Sequence, residues 1–123
     1  MAVTYTTAVK NARLDAVSTA TGATGVLEIG TAGMASVLAT INLNSTAGTS
    51  SSGVLTFSGF PKSDTSAAAT GTAAAARIRT GTGGTDIVTG LTVGLSASDI
   101  NLDSVSITAG QTVTINSATI THA

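Results

Sequence analysis

From Gly25 onward, apolar residues alternate with polar ones in short runs, and a turn rich in glycine or other small residues interrupts them about every ten residues. A helix repeats its buried face every 3.6 residues, whereas a strand repeats it every two, so this stretch reads as sheet. The clearest run sets Ala35, Val37, Ala39, Ile41 and Leu43 on one face. Leu27 and Ile29 precede it across a Gly30-Thr-Ala-Gly33 turn. Leu55 and Phe57 mark a strand that runs to Phe60 and stops at Pro61, the only proline. Val88, Leu91 and Val93 form another, interrupted at Gly90 and entered through a Gly81-Thr-Gly-Gly84 turn. Ile100 and Leu102 make a short strand, and Val105 and Ile107 a second one after a phase change near Asp103. Beyond the Ala109-Gly110 turn the apolar positions switch from Val113 and Ile115 to Ala118 and Ile120, which requires a β-bulge near Asn116-Ser117.

Two stretches, 44–53 and 61–71, read as loops because they are polar, small and glycine-containing. The run Thr72–Arg79 is ambiguous, since its four alanines favour a helix. Gly71 and Gly81 bracket it too closely for a stable helix, and Arg77-Ile78-Arg79 alternates, so it is assigned as a strand. The result is seven or eight short strands without intervening helices. That predicts a mainly β fold, a single-domain β-sandwich or jelly-roll-like barrel over residues 25–123.

The first 21 residues differ. Val9, Ala12 and Ala16 stand at i, i+3 and i+7, with Tyr5 one turn earlier, which is helical spacing. Thr6 or Thr7 serves as N-cap and Gly22 ends the pattern, predicting one short amphipathic helix from about Thr6 to Thr19. It is either a docking element packed on its own domain's sheet or an arm reaching a neighbouring subunit.

Composition bears on stability and partners. Thr, Ala, Gly and Ser dominate the 123 residues, charged residues are 9%, and the aromatics are Tyr5, Phe57 and Phe60. An ordinary soluble domain carries roughly 25% charge. Alanine buries little area, while backbone ordering costs about 1–2 kcal/mol per residue whatever the side chain. With no cysteine there is no disulfide to offset that cost. The chain is therefore expected to gain support from neighbours, as a homo-oligomer (a trimer being one form) or a lattice component.

Chemistry is sparse. The sole histidine, His122, stands next to the last residue, which gives the abundant serines no base. Six acids are scattered, and the pair flanking Ile100–Leu102, Asp99 and Asp103, reads as turn residues bonding nearby amides. Gly81-Thr-Gly-Gly84 lacks the lysine and following helix of a phosphate loop. No enzyme activity, cofactor or metal is expected. A net charge of −1 and few aromatics argue against nucleic acid as a partner. No apolar run approaches the ~20 residues of a membrane helix, and the first residues lack a basic segment followed by an apolar one, so neither membrane nor secretory signal is expected.

Candidate partner-contact residues are Arg77, Arg79, Tyr5 and Phe60. Arg77 and Arg79 share one strand face and hold two of the five basic charges. They read as a solvated outer face or as an interface anchor, arginine being enriched in binding hot spots. Phe60-Pro61 reads as a core edge or as a contact with a second chain. Exposed strand edges offer a further route, by adding strands to a neighbour's sheet.

The Thr/Ala/Gly/Ser-rich, cysteine-free composition resembles that of small virion proteins of tailed bacteriophages. So do runs such as Ala73-Ala-Ala-Ala-Arg-Ile-Arg79 and Ser106-Ile-Thr-Ala-Gly-Gln-Thr-Val-Thr-Ile115. The likeness is to head decoration, or cement, proteins. It implies a place on the virion, assembled in the bacterial host cytoplasm, where the chain contacts the major capsid protein or neighbouring copies of itself and stiffens the shell. Tail, fibre or baseplate components are the alternative within that class, and a carbohydrate-binding adhesive module is the alternative outside it.

Overall fold

The computed structural model describes residues 5–44, 46, 48–81 and 83–121. Its elements in chain order are α1 (Thr7–Thr21), β1 (Val26–Gly30), β2 (Val37–Asn42), β3 (Gly48–Ser51), β4 (Val54–Phe57), β5 (Lys62–Asp64), β6 (Gly71–Thr72), β7 (Ala75–Arg79), β8 (Asp86–Leu91), β9 (Val93–Gly94), β10 (Ile100–Leu102), β11 (Ser106–Ile107) and β12 (Val113–Thr121). The fold is mainly β and sandwich-like, with one helix at its N-terminal end. One sheet runs β2-β1-β7-β8. The other runs β3-β4-β12-β10-β9, with β5 also on β12, and β6 and β11 pair separately.

Between the sheets lies a core that matches the alternation except at the start of β2. There a register shift between Ile29 and Gly30 buries Leu38 and leaves Val37, expected on the inner face, half-buried and outside the core. Leu27, Ile29, Leu38, Ile41, Leu55, Ile78, Ile100, Leu102, Ile107, Val113 and Ile115 are all buried there. The Thr72–Arg79 stretch is extended rather than helical but is not one strand. Thr72 ends β6, which pairs with β11, and Ala75–Arg79 forms β7, which pairs with both β1 and β8 and contributes Ala76 and Ile78 to the core. The bulge in the last strand is present too. Asn101 faces Ser117 while Leu102 faces Ile115, so Asn116 is skipped and stands exposed.

Corrections fall mainly on the loops. The 44–53 stretch contains β3, joined to β4 by a two-residue turn in which Ser52 and Gly53 have positive φ of 53° and 76°. That is the backbone a tight hairpin requires. The 61–71 stretch contains β5 and the start of β6. None of these three strands carries the large apolar residues that announce a strand. The strand read as reaching Phe60 ends at Phe57. Ala35 is exposed in the loop before β2, where Thr31 and Ser36 close the turn with two bonds of 3.0 Å. Gly30 fits there because Ser36 O and the Met34 thioether occupy the space a Cβ would need.

The helix forms where expected. Thr6 caps it, its hydroxyl accepting from the Val9 amide at 3.4 Å, and Gly22 ends it with φ 72°. Its phase is the opposite of the sequence reading. Val9, Ala12 and Ala16 are exposed, and the side facing β3 and β4 is Lys10, Asn11, Leu14, Val17, Ser18 and Thr21. Two factors outweigh the alanine spacing. Leu14 and Val17 have more apolar area to bury. Polar groups on that side also satisfy the β3–β4 hairpin: Asn11 accepts from the Gly53 amide at 3.0 Å, and Ser18 donates to Gly48 O at 3.4 Å.

The helix phase is tested by paired truncations. Leu14→Ala should destabilise the chain by about 2–5 kcal/mol in urea unfolding, the range for a buried leucine. Val9→Ala should change stability by no more than about 0.5 kcal/mol, as for an exposed position. Equal losses would reject this orientation.

Candidate partner-contact surface

In β1, Leu27 and Ile29 point into the core, so Val26 and Glu28 point to the other face of the sheet. That face is nonetheless closed over β1, with Val26 at 2% and Glu28 at 4% exposure. Register explains the cover. Val26 lies opposite Arg79 and Glu28 opposite Arg77 on β7, so the two arginine stems lie across them. Arg77 Nε donates to Glu28 Oε1 at 2.6 Å, and Arg79 Nη1 stands 3.9 Å from the same oxygen. Arg79 Nε lies 2.8 Å from Asp86 Oδ1 of β8. That nitrogen is buried and its N–H is not directed at the oxygen, so the contact is ionic rather than a hydrogen bond.

Four charges thus form one balanced patch, Glu28 and Asp86 against Arg77 and Arg79. Beside it runs an open groove of about 660 Å³, walled by Met34, Ala75, Leu91 and Val93, with Arg77 and Asp86 at its polar side. The arginines expected on an outer face are on one. They are half-buried cross-strand partners of Glu28 rather than freely solvated groups.

The other two candidate residues lie elsewhere. Tyr5 is 42% exposed at the start of α1, with the Arg13 guanidinium carbon 4.7 Å from its ring centre. Phe60 is half-buried and packs against the core cluster, which matches the core-edge reading. The structure therefore brings Arg77 and Arg79 together and leaves Tyr5 and Phe60 apart from them. The sequence reading passed over Glu28 as a site residue. Its signal was a single acid inside the apolar run Val-Leu-Glu-Ile, which a sheet tolerates only when a cation faces it.

Three of the other carboxylates, Asp15, Asp64 and Asp99, serve the chain's own backbone and hydroxyls, whereas at Asp103 it is the backbone amide that bonds, to Thr114 O at 3.3 Å. Asp99 accepts from the Thr92 amide at 3.0 Å, and the Asp99 amide donates to Thr92 Oγ1 at 2.9 Å, bearing out its role as a turn residue. Asp64 accepts from the amides of Thr40 and Ser66, and Asp15 accepts from Ser50 Oγ at 2.6 Å. His122 and the first four residues lie outside the described residues. Among those described, no helix is long and apolar enough to cross a membrane.

The molecule is thus a β-sandwich-like protein with a charge-balanced patch beside a groove on one sheet and, on its helix, the exposed residues Val9, Ala12 and Ala16. Comparison with protein-family models, with characterised proteins and with solved structures returns no match.

A double-mutant cycle reads the buried pair. Arg77→Leu should cost about 3 kcal/mol, because it strands the Glu28 carboxylate without its close partner. Glu28→Leu combined with Arg77→Leu should recover most of that loss, since apolar pairs replace buried ion pairs with little penalty. If the double variant is no more stable than Arg77→Leu in urea unfolding, the pair does not govern this face.

Proposed function

We propose that this chain is a non-enzymatic structural protein of a bacteriophage virion, a head decoration protein that bridges and stabilises neighbouring capsid subunits. The observation that carries this reading is the outward stripe of α1. Tyr5 and Val9 are 42% and 44% exposed, and Ala12 and Ala16 continue the same line at helical spacing. The helix already has a seat on the β3–β4 hairpin through its other side. A stripe of apolar residues on the solvent side supports contact with a second protein surface, because each large apolar side chain covered contributes roughly 1.5–3 kcal/mol. Arg13, beside Tyr5, adds a cation to the stripe, which favours a partner carrying acidic groups.

Of the two readings of the N-terminal segment, the structure has the docking element, since α1 packs on the chain's own β3–β4 hairpin rather than extending as an arm. Its inner side is the docking element and its outer side is the surface offered to a neighbour. The carboxylates support the same conclusion, since those with side-chain contacts are engaged by arginines, amides or a hydroxyl of the chain itself.

Electron microscopy of the particle that contains this chain tests the proposal. Density for the chain is expected on the outer shell between capsid subunits, with α1 turned toward a neighbour. Density in the tail would move the assignment to a fibre or baseplate component, and absence from the assembled particle would reject both. Val9→Asp should leave unfolding stability within about 0.5 kcal/mol of the parent. It should nevertheless weaken co-sedimentation with chain-depleted particles by roughly tenfold or more, as for a charge placed in a contact core.

A further inference from the structure

We propose that the segment from β5 to Ala68 is a strap that guards the open edge of β2, and that Asp64 is its key residue, keeping β2 from pairing with the β2 strand of a second copy. This inference is independent of the virion assignment.

β2 ends the first sheet, so alternate backbone groups along it face away from β1. Gly25 O receives the Leu43 amide at 2.9 Å, which fixes the phase: Leu43, Ile41 and Ala39 bond toward β1, while Leu38, Thr40 and Asn42 direct their backbone groups outward. Such an outward row is a template for another chain. Here the strap meets it with side-chain and backbone bonds. Asp64 Oδ2 accepts from the Thr40 amide at 3.0 Å, and the Ala68 amide donates to Leu38 O at 2.8 Å. The strap imitates an added strand at two adjacent outward positions.

The strap is anchored from behind. β5 pairs with β12, Asp64 lying opposite Val113, and the Ala67 amide bonds to Gln111 O at 2.9 Å while Ala67 O receives the Gly110 amide at 2.8 Å. Asp64 Oδ1 accepts from the Ser66 amide at 2.9 Å, which fixes the carboxylate in place. One carboxylate thus ties the strap's own turn to the neighbouring sheet.

The other sheet ends are blunted by different means. Side chains of α1 bond to β3 through Ser18 and Gly48 O. β8 carries two register shifts against β7 and a positive φ of 74° at Gly90, both of which spoil a regular ladder. β9 is two residues long. β2, with six residues and a regular register over Val26–Ile29, is the edge best suited to pairing once uncovered.

The test compares Asp64→Ala with Asp64→Asn, which keeps an oxygen acceptor. Amide hydrogen exchange at Thr40 and sedimentation velocity over a concentration series are the readouts, with the full chain as it stands. Thr40 should be protected in the parent and in Asp64→Asn. In Asp64→Ala its exchange should rise roughly fivefold or more, the factor for one net hydrogen bond. Asp64→Ala should also associate beyond the parent's state, and Asn42→Lys added on the same edge should suppress that association. An unprotected Thr40 amide in the parent overturns the proposal whatever the variants do. So does faster exchange in Asp64→Ala without added association, or equal association in Asp64→Asn. Should Asp64→Ala fail to fold, Ala68→Pro removes the other strap bond, and absence of added association in that variant overturns the guard role.

Discussion

The second sheet depends on one strand. β12 bonds to β5 along its first residues and to β4 along its last, while β10 pairs across its middle from the other side. A strand with a strict period of two could not serve all three, because its core-facing residues fall on odd numbers at the start and on even numbers at Ala118 and Ile120. Skipping Asn116 changes the phase, so that Val113, Ile115 and Ala118 are each 0–1% exposed. A one-residue slip would otherwise turn every later side chain to the opposite face. The β3–β4 hairpin, and with it the seat of α1, is placed by the half of β12 beyond the bulge. The strap over β2 is placed by the half before it.

Small side chains shape how this fold uses its few charges. With little apolar mass to spare, the outer face of the first sheet is closed by the stems of Arg77 and Arg79 instead of a second layer of large residues. That cover works only because Glu28 lies beneath it and accepts from Arg77 Nε at 2.6 Å. A desolvated carboxylate without a partner would cost several kcal/mol. The two stems and the acid are therefore a single structural unit spanning β1 and β7, and Asp86 extends it to β8.

Legibility followed side-chain size. Strands with two or more large apolar residues, such as those holding Leu27 and Ile29 or Ile100 and Leu102, were readable from alternation alone. So was the bulge, because it displaces a sequence of large residues. Strands β3 and β5 were not, since Gly-Thr-Ser-Ser and Lys-Ser-Asp carry no apolar alternation; they exist because β4 and β12 offer them partners. The helix was legible in extent but not in phase. Alanine spacing cannot outweigh Leu14, nor reveal that Asn11 and Ser18 have backbone groups to satisfy on the hairpin. At the candidate surface, the shared face of Arg77 and Arg79 was visible in sequence, whereas their partner Glu28 required the register of β1 against β7.

Those same facts constrain how the proposed decoration protein would meet another chain. Edge-to-edge pairing, the route suggested by strand content alone, is obstructed at β2 by the strap, at β3 by the helix and at β8 by its irregular register. Contact is thereby directed to faces, where side chains rather than backbone ladders decide the fit. Ala12 and Ala16 of the helical stripe forfeit no rotamer freedom when covered, whereas long charged side chains forfeit up to about 2 kcal/mol each. Each such contact is individually weak, but little of it is cancelled by ordering. On the proposed virion, a lattice that holds many identical copies in register would supply the alignment that such small side chains do not.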